Sequence, residues 1–580
     1  MATKRGIQYI PAIDGLRALA VVAVMFYHLG FSWIPGGFLG VDLFFVISGY
    51  VITRLLLDSI AQSGGLDLRG FYLARARRLL PALLFTIITT TIAIGIWAPD
   101  TIKRFVIDMP FALSGTMNWW LVAKEQDYFE SIGRPPLLQH TWSLAVEAQF
   151  YLVWPLILYF ILKRLGKNRI PLAALMIAAA SGITLLIVSL SLDSSSASEV
   201  SHIYFGTDTH SIGLFLGAAL AVSWIPQNFT TQVTKKAQDF IDGVGVFGFI
   251  GILATFLLID ESEPTLYKIA FPLAALFGAA IIMSVVHPAS RFAPILENPI
   301  LLWIGQRSYA IYLWHWIIFQ VTRPSVDLAG QTWALYSLRI LIVFALADIS
   351  LRYVEIPIRR GAIKYWFKGL KYRTKKERSR QTRLFAASFV VVLALASIVS
   401  VRAISIGNEQ RAVLEDALSS PNTSTATNAA DGIWLTGDSV ILGIRSELSE
   451  ISPISLINAR IGRQAPELLE VMKQDVKQVG ANQVVFNLGN NGFLQADVAR
   501  EIFELVKNQG SVIVVNTAVP RPWRESNNAL ISEIAAQYSN IKVIDWNSIS
   551  NGHPEYFAPD GVHLVPAGVE AYVNEIRKYL

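Results

Sequence analysis

Twelve apolar stretches, each close to the roughly 20 residues a helix needs to cross a bilayer, fill most of the first 402 positions of this chain. They lie near 10–30, 38–57, 79–97, 105–123, 142–162, 171–191, 209–226, 241–260, 267–286, 300–320, 333–351 and 383–402. In hydrocarbon every backbone N–H and C=O must be paired, and runs of this length satisfy that as helices. Composition agrees: 53% apolar and 16% charged residues over 580 positions is too apolar for one soluble domain. Asp14 and Arg17 open the first stretch and no small-residue cleavage site follows it, so a retained span is expected there rather than a signal peptide. The chain has no cysteine, which excludes disulfides, thiolate catalysis and thiolate-bound metal; no metal site is expected.

Charge decides how many stretches cross. Basic residues collect on the cytoplasmic side, and Lys4, Arg5, Arg69, Arg75, Arg77 and Arg78 place the N-terminus and the second connector inside. Were 105–123 also a crossing, Lys163, Arg164, Lys167, Arg169 and the basic run from Arg359 to Arg383 would face outside. That segment carries Asp108, Pro110 and Asn118 and is read as re-entrant or interfacial. Eleven spans remain, and they send everything after residue 403 outside, together with the connectors Asp193–Glu199 and Asp260–Glu263. The net charge of +6 sits in clusters beside apolar runs, a pattern suited to lipid headgroups rather than nucleic acid.

An ionisable group at mid-membrane is expensive, about 2.5 to 3.5 kcal/mol on insertion scales, and calls for a partner or a function. On this topology His28, Asp42, Glu147, Asp208, His210 and His315 form an outer layer, and Asp14, Arg17, Arg54, Arg75, Arg78 and Arg352 an inner one. An imidazole beside carboxylates can serve as a general base, although His28 alone reads first as a buried histidine satisfied by a carbonyl or a snorkelling residue of an aromatic belt. Arg75 and Arg78, spaced to share a helix face, can grip phosphate; positive-inside anchoring explains them as well.

The motifs Tyr9-Ile-Pro-Ala-Ile-Asp14-Gly-Leu-Arg17, Phe26-Tyr-His28, Gly40-Val-Asp42 through Ser48-Gly49-Tyr50, Arg75-Ala-Arg-Arg78, Thr141-Trp142-Ser143-Leu-Ala-Val-Glu147 and Ser308-Tyr-Ala-Ile-Tyr-Leu-Trp-His315-Trp together resemble the acyltransferase 3 family of membrane O-acyltransferases over about residues 7–360. The resemblance implies that His28 is the catalytic base, that Arg75 and Arg78 handle acyl-CoA from the cytoplasm, and that Glu147, Trp142 and Ser143 belong to the site. Asp14, Arg17, Asp42, Asp208, His210 and His315 are expected to support it. The chain departs from the family pattern at Glu147-Ala-Gln149, where the acid is commonly repeated, and at Thr207-Asp208-Thr209-His210, where arginine is usual last.

The expected organisation is a membrane domain of about ten spans over 1–362, a basic connector over 363–382, one more span over 383–403, a flexible linker over 404–430 and a soluble domain over 431–580. In the last, apolar runs at Gly432–Asp438, Ile454–Ala459, Val484–Leu488, Val512–Thr517 and Val543–Trp546 alternate with amphipathic stretches. That pattern predicts a parallel sheet between two helical layers, with its site at the carboxyl ends of the strands. The fold class is thus a multi-span α-helical membrane domain plus an α/β/α domain with a flavodoxin-like parallel sheet. Ser439, just past the first strand, would be a nucleophile with His563 as base and Asp560 as orienter, and Gly462, Asn491 and the Ser439 amide would face an oxyanion. Gly437-Asp438-Ser439, Gly489-Asn-Asn491 and Asp560-Gly-Val-His563-Leu resemble the SGNH hydrolase superfamily.

The fusion is similar to surface-polysaccharide O-acetyltransferases and, through Ile544-Asp-Trp546 and Asp560-Gly-Val-His563-Leu, leans toward the peptidoglycan O-acetyltransferase A subgroup. The resemblance implies a bacterial plasma-membrane enzyme with no bound cofactor, taking acyl-CoA, expected to be acetyl-CoA, as donor and a cell-surface glycan as acceptor. Two other readings stay open: a transporter, whose pathway would use the same intramembrane charges, and an esterase merely anchored by its spans.

Overall fold

The helices of the first part are α1 (Pro11–His28), α2 (Gly40–Ser63), α3 (Leu68–Trp97), α4 (Ile102–Ser114), α5 (Met117–Ala123), α6 (Trp142–Arg164), α7 (Ile170–Ser191), α8 (Ala197–Phe205), α9 (Ile212–Ser223), α10 (Lys235–Leu258), α11 (Phe271–Val285), α12 (Ala293–Leu296), α13 (Pro299–Val321), α14 (Trp333–Ile349), a π-helical turn at Ser350–Glu355, α15 (Ile356–Arg359), α16 (Ala362–Leu370) and α17 (Lys375–Leu418). The computed structural model describes residues 9–31, 33–63, 65–124, 134–191, 197–259, 269–324, 327–328, 333–418, 425–426, 432–460, 462–479, 483–521, 523–558 and 561–580. Lys4, Arg5, the connector 260–263, residues 192–196 and Asp560 lie outside them.

Among the described residues, eight helical segments are long and apolar enough to cross a membrane, those of α1, α2, α3, α6, α7, α10, α14 and α17, with α9 and α11 as shorter apolar helices. With the 23-residue α13 they occupy the eleven positions left as spans once 105–123 is set aside. Their outward sides stay apolar: Ile183, Ile187 and Leu190 on α7 and Phe389, Val391 and Ile398 on α17 are exposed, as suits faces solvated by acyl chains.

The segment 105–123 folds as two helices of 13 and 7 residues, hinged at Gly115 with φ +72°. Neither is long enough to cross. Trp120 stacks on Phe111 at 4.0 Å and donates to buried Asp108 at 2.8 Å. Asn118 donates to Phe205 O and Thr207 Oγ1, each at 3.0 Å. Of the polar residues that break the hydropathy pattern, Asp108 ties the two short helices to each other and Asn118 fastens the hairpin to its neighbours.

Glycine sets the closest helix approaches, as is common where helices pack in lipid. A Cβ at Gly305 would sit 1.8 Å from Asp14 O, and one at Gly49 1.9 Å from Leu214 O, so α13 meets α1, and α2 meets α9, backbone to side-chain-free backbone. Gly305→Ala is expected to cost about 1–3 kcal/mol by overpacking and to lower the unfolding midpoint in detergent. Gly243→Ala, whose Cβ would meet nothing within 4 Å, is the control and should leave the midpoint in place.

Two boundaries differ from expectation. Helix α17 runs without a break from Lys375 to Leu418, so it takes in part of the basic connector and continues into the expected linker. The residues Glu409-Gln-Arg-Ala-Val-Leu-Glu-Asp-Ala-Leu418 are mostly strong helix formers, and they prolong it. Farther along the same linker, Thr425–Ala426 forms a short strand, β1.

The soluble domain continues with β2 (Ile433–Gly437), α18 (Ser439–Ser449), β3 (Ile454–Ala459), α19 (Ala465–Asp475), β4 (Gln483–Asn487), α20 (Ala496–Val506), β5 (Ser511–Val515), α21 (Arg524–Ala535), β6 (Ile541–Ile544), α22 (Trp546–Ile549) and α23 (Pro566–Arg577). The sheet order is β1-β3-β2-β4-β5-β6, with β1 antiparallel on the edge and the other five parallel. Alternating strand residues feed two cores. Leu435, Val485 and Ile513 pack on one face with α18 and α23, while Trp434, Val484, Phe486 and Val512 pack on the other with α19, α20 and α21. The chain moves first to β3 on one side of β2 and then to β4 on the other, so the switch point of this flavodoxin-like order lies between β2 and β4.

Candidate active sites

Ser439 stands at that switch point. Gly437 ends β2 with φ +146°, and a Cβ there would lie 2.1 Å from Asn487 Oδ1; only glycine lets the chain turn this close to β4. Asp438 caps α18, its carboxylate accepting Val440 N at 2.9 Å. Ser439 is therefore the first residue of the helix, where unpaired N–H groups and the helix dipole favour negative charge. His563 Nε2 lies 2.8 Å from Ser439 Oγ, and both residues are buried. A histidine nitrogen at that distance can take the hydroxyl proton as the oxygen attacks. Ser439 and His563 are thus in contact although 124 positions separate them; Asp560, the expected orienter, lies outside the described residues.

Asp438 is the anchor of the surrounding loops. Asn487 Nδ2 donates to its Oδ1 at 2.6 Å, and Asn490 Nδ2 and Asn491 Nδ2 each to its Oδ2 at 3.0 Å. Burial pushes the Asp438 carboxyl above the usual range, opposed by the bonds from Asn487, Val440 N and Asn490 and by the nearby His563. Asn491 Nδ2 also reaches Arg463 O at 3.3 Å, so both of its hydrogens have acceptors in this structure. Gly462, with φ +72°, precedes Arg463, whose buried guanidinium donates to Asn458 O at 2.6 Å, Asn458 Oδ1 at 3.0 Å and Gly437 O at 3.3 Å. Gly437, Asp438, Arg463, Asn487, Gly489 and Asn491 line one small pocket. The three loops that carry Ser439, Gly462 and Asn491 are in this way fastened to one another.

A second centre lies in the helical part. His28, at the end of α1, places Nδ1 3.0 Å from Nε2 of His315 on α13. His315 is fully buried, and its Nδ1 faces Tyr312 O at 2.7 Å and Ile311 O at 3.2 Å. Carbonyls only accept, so that nitrogen carries the hydrogen, and in the neutral ring Nε2 is the acceptor. His28 Nδ1 then donates, and its lone pair sits on Nε2. Buried His140 packs its ring 5.9 Å from that of His315, and Trp316 Nε1 donates to Pro136 O at 2.9 Å, tying the 134–141 segment to α13. Half-buried Asp327 reinforces the tie with ion pairs to Arg134 at 2.9 Å and Arg323 at 3.0 Å.

Beside these histidines a cavity of about 780 Å³ opens, lined by Arg17, Arg54, Arg75, Arg78, Arg359 and Arg360 among others. Arg75 and Arg78 both face it, as their three-residue spacing requires, and Arg77 between them does not line it. Glu147 lines the same cavity, accepting Ser48 Oγ at 2.5 Å and Tyr151 OH at 3.0 Å. This corrects the division into two layers. Glu147 belongs with the inner arginines rather than with His28, because five residues of helix below Trp142 carry it about 7.5 Å farther along α6. The cavity reaches Ser143 and Tyr312. Their hydroxyls meet at 2.8 Å, Tyr312 OH also donates to His140 O at 2.8 Å, and the Tyr312 carbonyl is the one that binds His315. A wall one side chain thick separates cavity from histidines.

The remaining expected residues sort into pairs. Asp14 binds Arg17 at 3.2 Å and Tyr9 OH at 2.7 Å on the cavity rim. Asp42 and His210 form a buried pair at 3.0 Å, with Trp142 packed 5.2 Å from the His210 ring. Asp208 turns away to half-exposed His202 at 3.0 Å, so adjacent positions in sequence serve different partners. Arg352 is exposed and bound to Asp348 at 2.8 Å, and it does not line the cavity. His140, Tyr151, Arg359, Arg463, Asn487 and Asn490 escaped sequence reasoning. His140 lies two positions before Trp142 and Asn490 one before Asn491, so proximity to recognised motifs was the available signal for those two.

Comparison with known proteins places the chain in a family. The family model described as an acyltransferase domain matches residues 10–352. The chain is 34% identical to the peptidoglycan O-acetyltransferase OatA of Listeria monocytogenes, with 98% of each chain covered. It is 34% identical to the O-acetyltransferase OatA of Staphylococcus aureus, covering 98% of this chain and 96% of that one. The solved C-terminal catalytic domain of peptidoglycan O-acetyltransferase A from Streptococcus pneumoniae, carrying a methylsulfonyl adduct, is 27% identical over 26% of this chain and 92% of its own, with a TM-score of 0.23.

Proposed function

Since this chain belongs to the acyltransferase 3 family and is a multi-pass membrane O-acyltransferase, we propose that it moves an acetyl group from cytoplasmic acetyl-CoA to hydroxyls of a cell-wall glycan outside. The names of its relatives support the acetyl group and the peptidoglycan acceptor. The observation that carries the reading is the arginine-lined cavity that also reaches Ser143 and Tyr312, the latter bound through its carbonyl to the His315 that pairs with His28. Positive-inside charge supports a cytoplasmic mouth for that cavity and an external soluble domain.

The chemistry then runs in two stages. Acetyl-CoA enters with its phosphates on Arg75 and Arg78, and its thioester reaches His28 as the Ser143 and Tyr312 side chains that form the wall move apart. His28 Nε2 takes the proton of the oxygen nucleophile that attacks the thioester carbonyl; the C–S bond breaks and CoA leaves as the thiol after gaining a proton. At the second centre His563 Nε2 takes the Ser439 hydroxyl proton while Oγ attacks the carried acetyl ester. Negative charge on the carbonyl oxygen meets the N–H groups of Ser439 and Gly462 and the Asn491 amide, which gives up its longer bond to Arg463 O. The carrier oxygen leaves with the proton from His563. A glycan hydroxyl, deprotonated by the same imidazole, attacks the acetyl-serine and regenerates Ser439.

Purified full-length protein in detergent, given [14C]acetyl-CoA and N-acetylglucosamine oligomers, is expected to place label on the oligomer as a base-labile ester. Label released only as acetate at saturating oligomer would favour an esterase. Unconsumed acetyl-CoA would remove it as the donor.

A further inference from the structure

Six arginines line one cavity, and they are not equivalent. Arg17 is paired with Asp14 at 3.2 Å, and Arg54 with Asp58 at 2.9 Å and Gln227 at 3.0 Å. Arg75, Arg78, Arg359 and Arg360 have no ion pair to a carboxylate among the described residues. Glu355, the acid nearest to Arg359 in sequence, is buried and faces Ser350 Oγ at 3.5 Å. With Glu147, Asp14 and Asp58 the carboxylates that line the cavity beside them and none ion-paired to these four among the described residues, the guanidinium groups keep a surplus of positive charge that a polyanion would neutralise.

The four differ in burial: Arg75 and Arg78 on α3 are half-buried, whereas Arg359 and Arg360, at the end of α15, are exposed, which makes the α15 pair the more solvent-facing part of the lining. Coenzyme A carries its phosphates in a matching order. With the thioester drawn past Ser143 and Tyr312, the pantetheine arm leads back to the diphosphate, and the phosphate on the adenosine ribose lies beyond it, nearest solvent. Resting on the donor reading above, we infer that Arg359, with Arg360 beside it, binds the ribose 3′-phosphate of acyl-CoA and makes the enzyme select coenzyme A over its dephospho form.

The test measures binding of CoA and dephospho-CoA to the full chain in detergent, with and without anionic lipid. The wild type should bind CoA roughly tenfold tighter, the size of one charge-assisted contact. Arg359→Gln should bring the ratio near one by weakening CoA while dephospho-CoA keeps its affinity. Arg77→Gln, exposed on α3 between Arg75 and Arg78 and outside the cavity lining, should retain the wild-type ratio. Equal weakening of both ligands by Arg359→Gln, or no preference in the wild type, would overturn the assignment while leaving the donor reading standing. An effect of Arg359→Gln seen only with anionic lipid present would give the arginine to a lipid headgroup. Failure of the wild type to bind either nucleotide would remove the donor reading itself, and the assignment with it.

Discussion

Ser439→Ala eliminates acetylation of the glycan oligomer, with a fall in transfer rate of at least about 10³-fold, the scale on which loss of a serine nucleophile acts. The expectation rests on one contact, Ser439 Oγ to His563 Nε2 at 2.8 Å, and on the helix N-terminus that receives the developing charge. Removing one hydroxyl leaves the loop scaffold whole, because Asp438, Asn487, Asn490, Asn491 and Arg463 hold it without help from the serine side chain. Folding of the variant should therefore match the wild type in thermal unfolding. Because the two centres act in turn, the variant should still release CoA from acetyl-CoA in a single burst before stalling. Glycan acetylation at wild-type rate in Ser439→Ala would show that transfer bypasses this domain.

His28→Ala gives the second large effect, a loss of about 10² to 10⁴ in acetyl-CoA-dependent transfer, the range expected for a general base. Hydrolysis of a small activated acetate ester by Ser439 should continue unchanged in the same protein, since that ester reaches the soluble domain without the first centre. This split separates the enzyme from an esterase whose spans only anchor it. Wild-type transfer from acetyl-CoA in His28→Ala would sink the two-centre scheme; joint loss of ester hydrolysis would mean that the centres are not independent.

Much of this was readable along the chain, because the signals are local. Hydropathy over about 20 residues located the spans, and strand-length apolar runs located β2 to β6 to within a few residues. Glycines and the capping aspartate announced the turn at Ser439. The Arg75/Arg78 pair was predictable because three residues of helix return a side chain to the same face. The helical extension of α17 into 404–418 was hidden by the polar character of that segment, which suggests a linker even though its residues favour helix.

What sequence could not supply was who meets whom. Asp42 and His210 are 168 positions apart, His28 and His315 are 287 apart, and each pair closes to 3.0 Å. Such contacts depend on the rotation and depth of packed helices, fixed here by close approaches such as Gly305 on Asp14 O and Gly49 on Leu214 O. The same geometry moves Glu147 to the arginine cavity, places Tyr312 as the wall before the histidines and fixes the lone pair of His28 on Nε2. By itself the chain determined its spans, its two domains and the kinds of group available for acyl transfer, since each is written in neighbouring residues. Tertiary structure alone decided their partners and protonation sites, because hydrogen bonds and ion pairs are set by distances of a few ångströms across elements that sequence order does not relate.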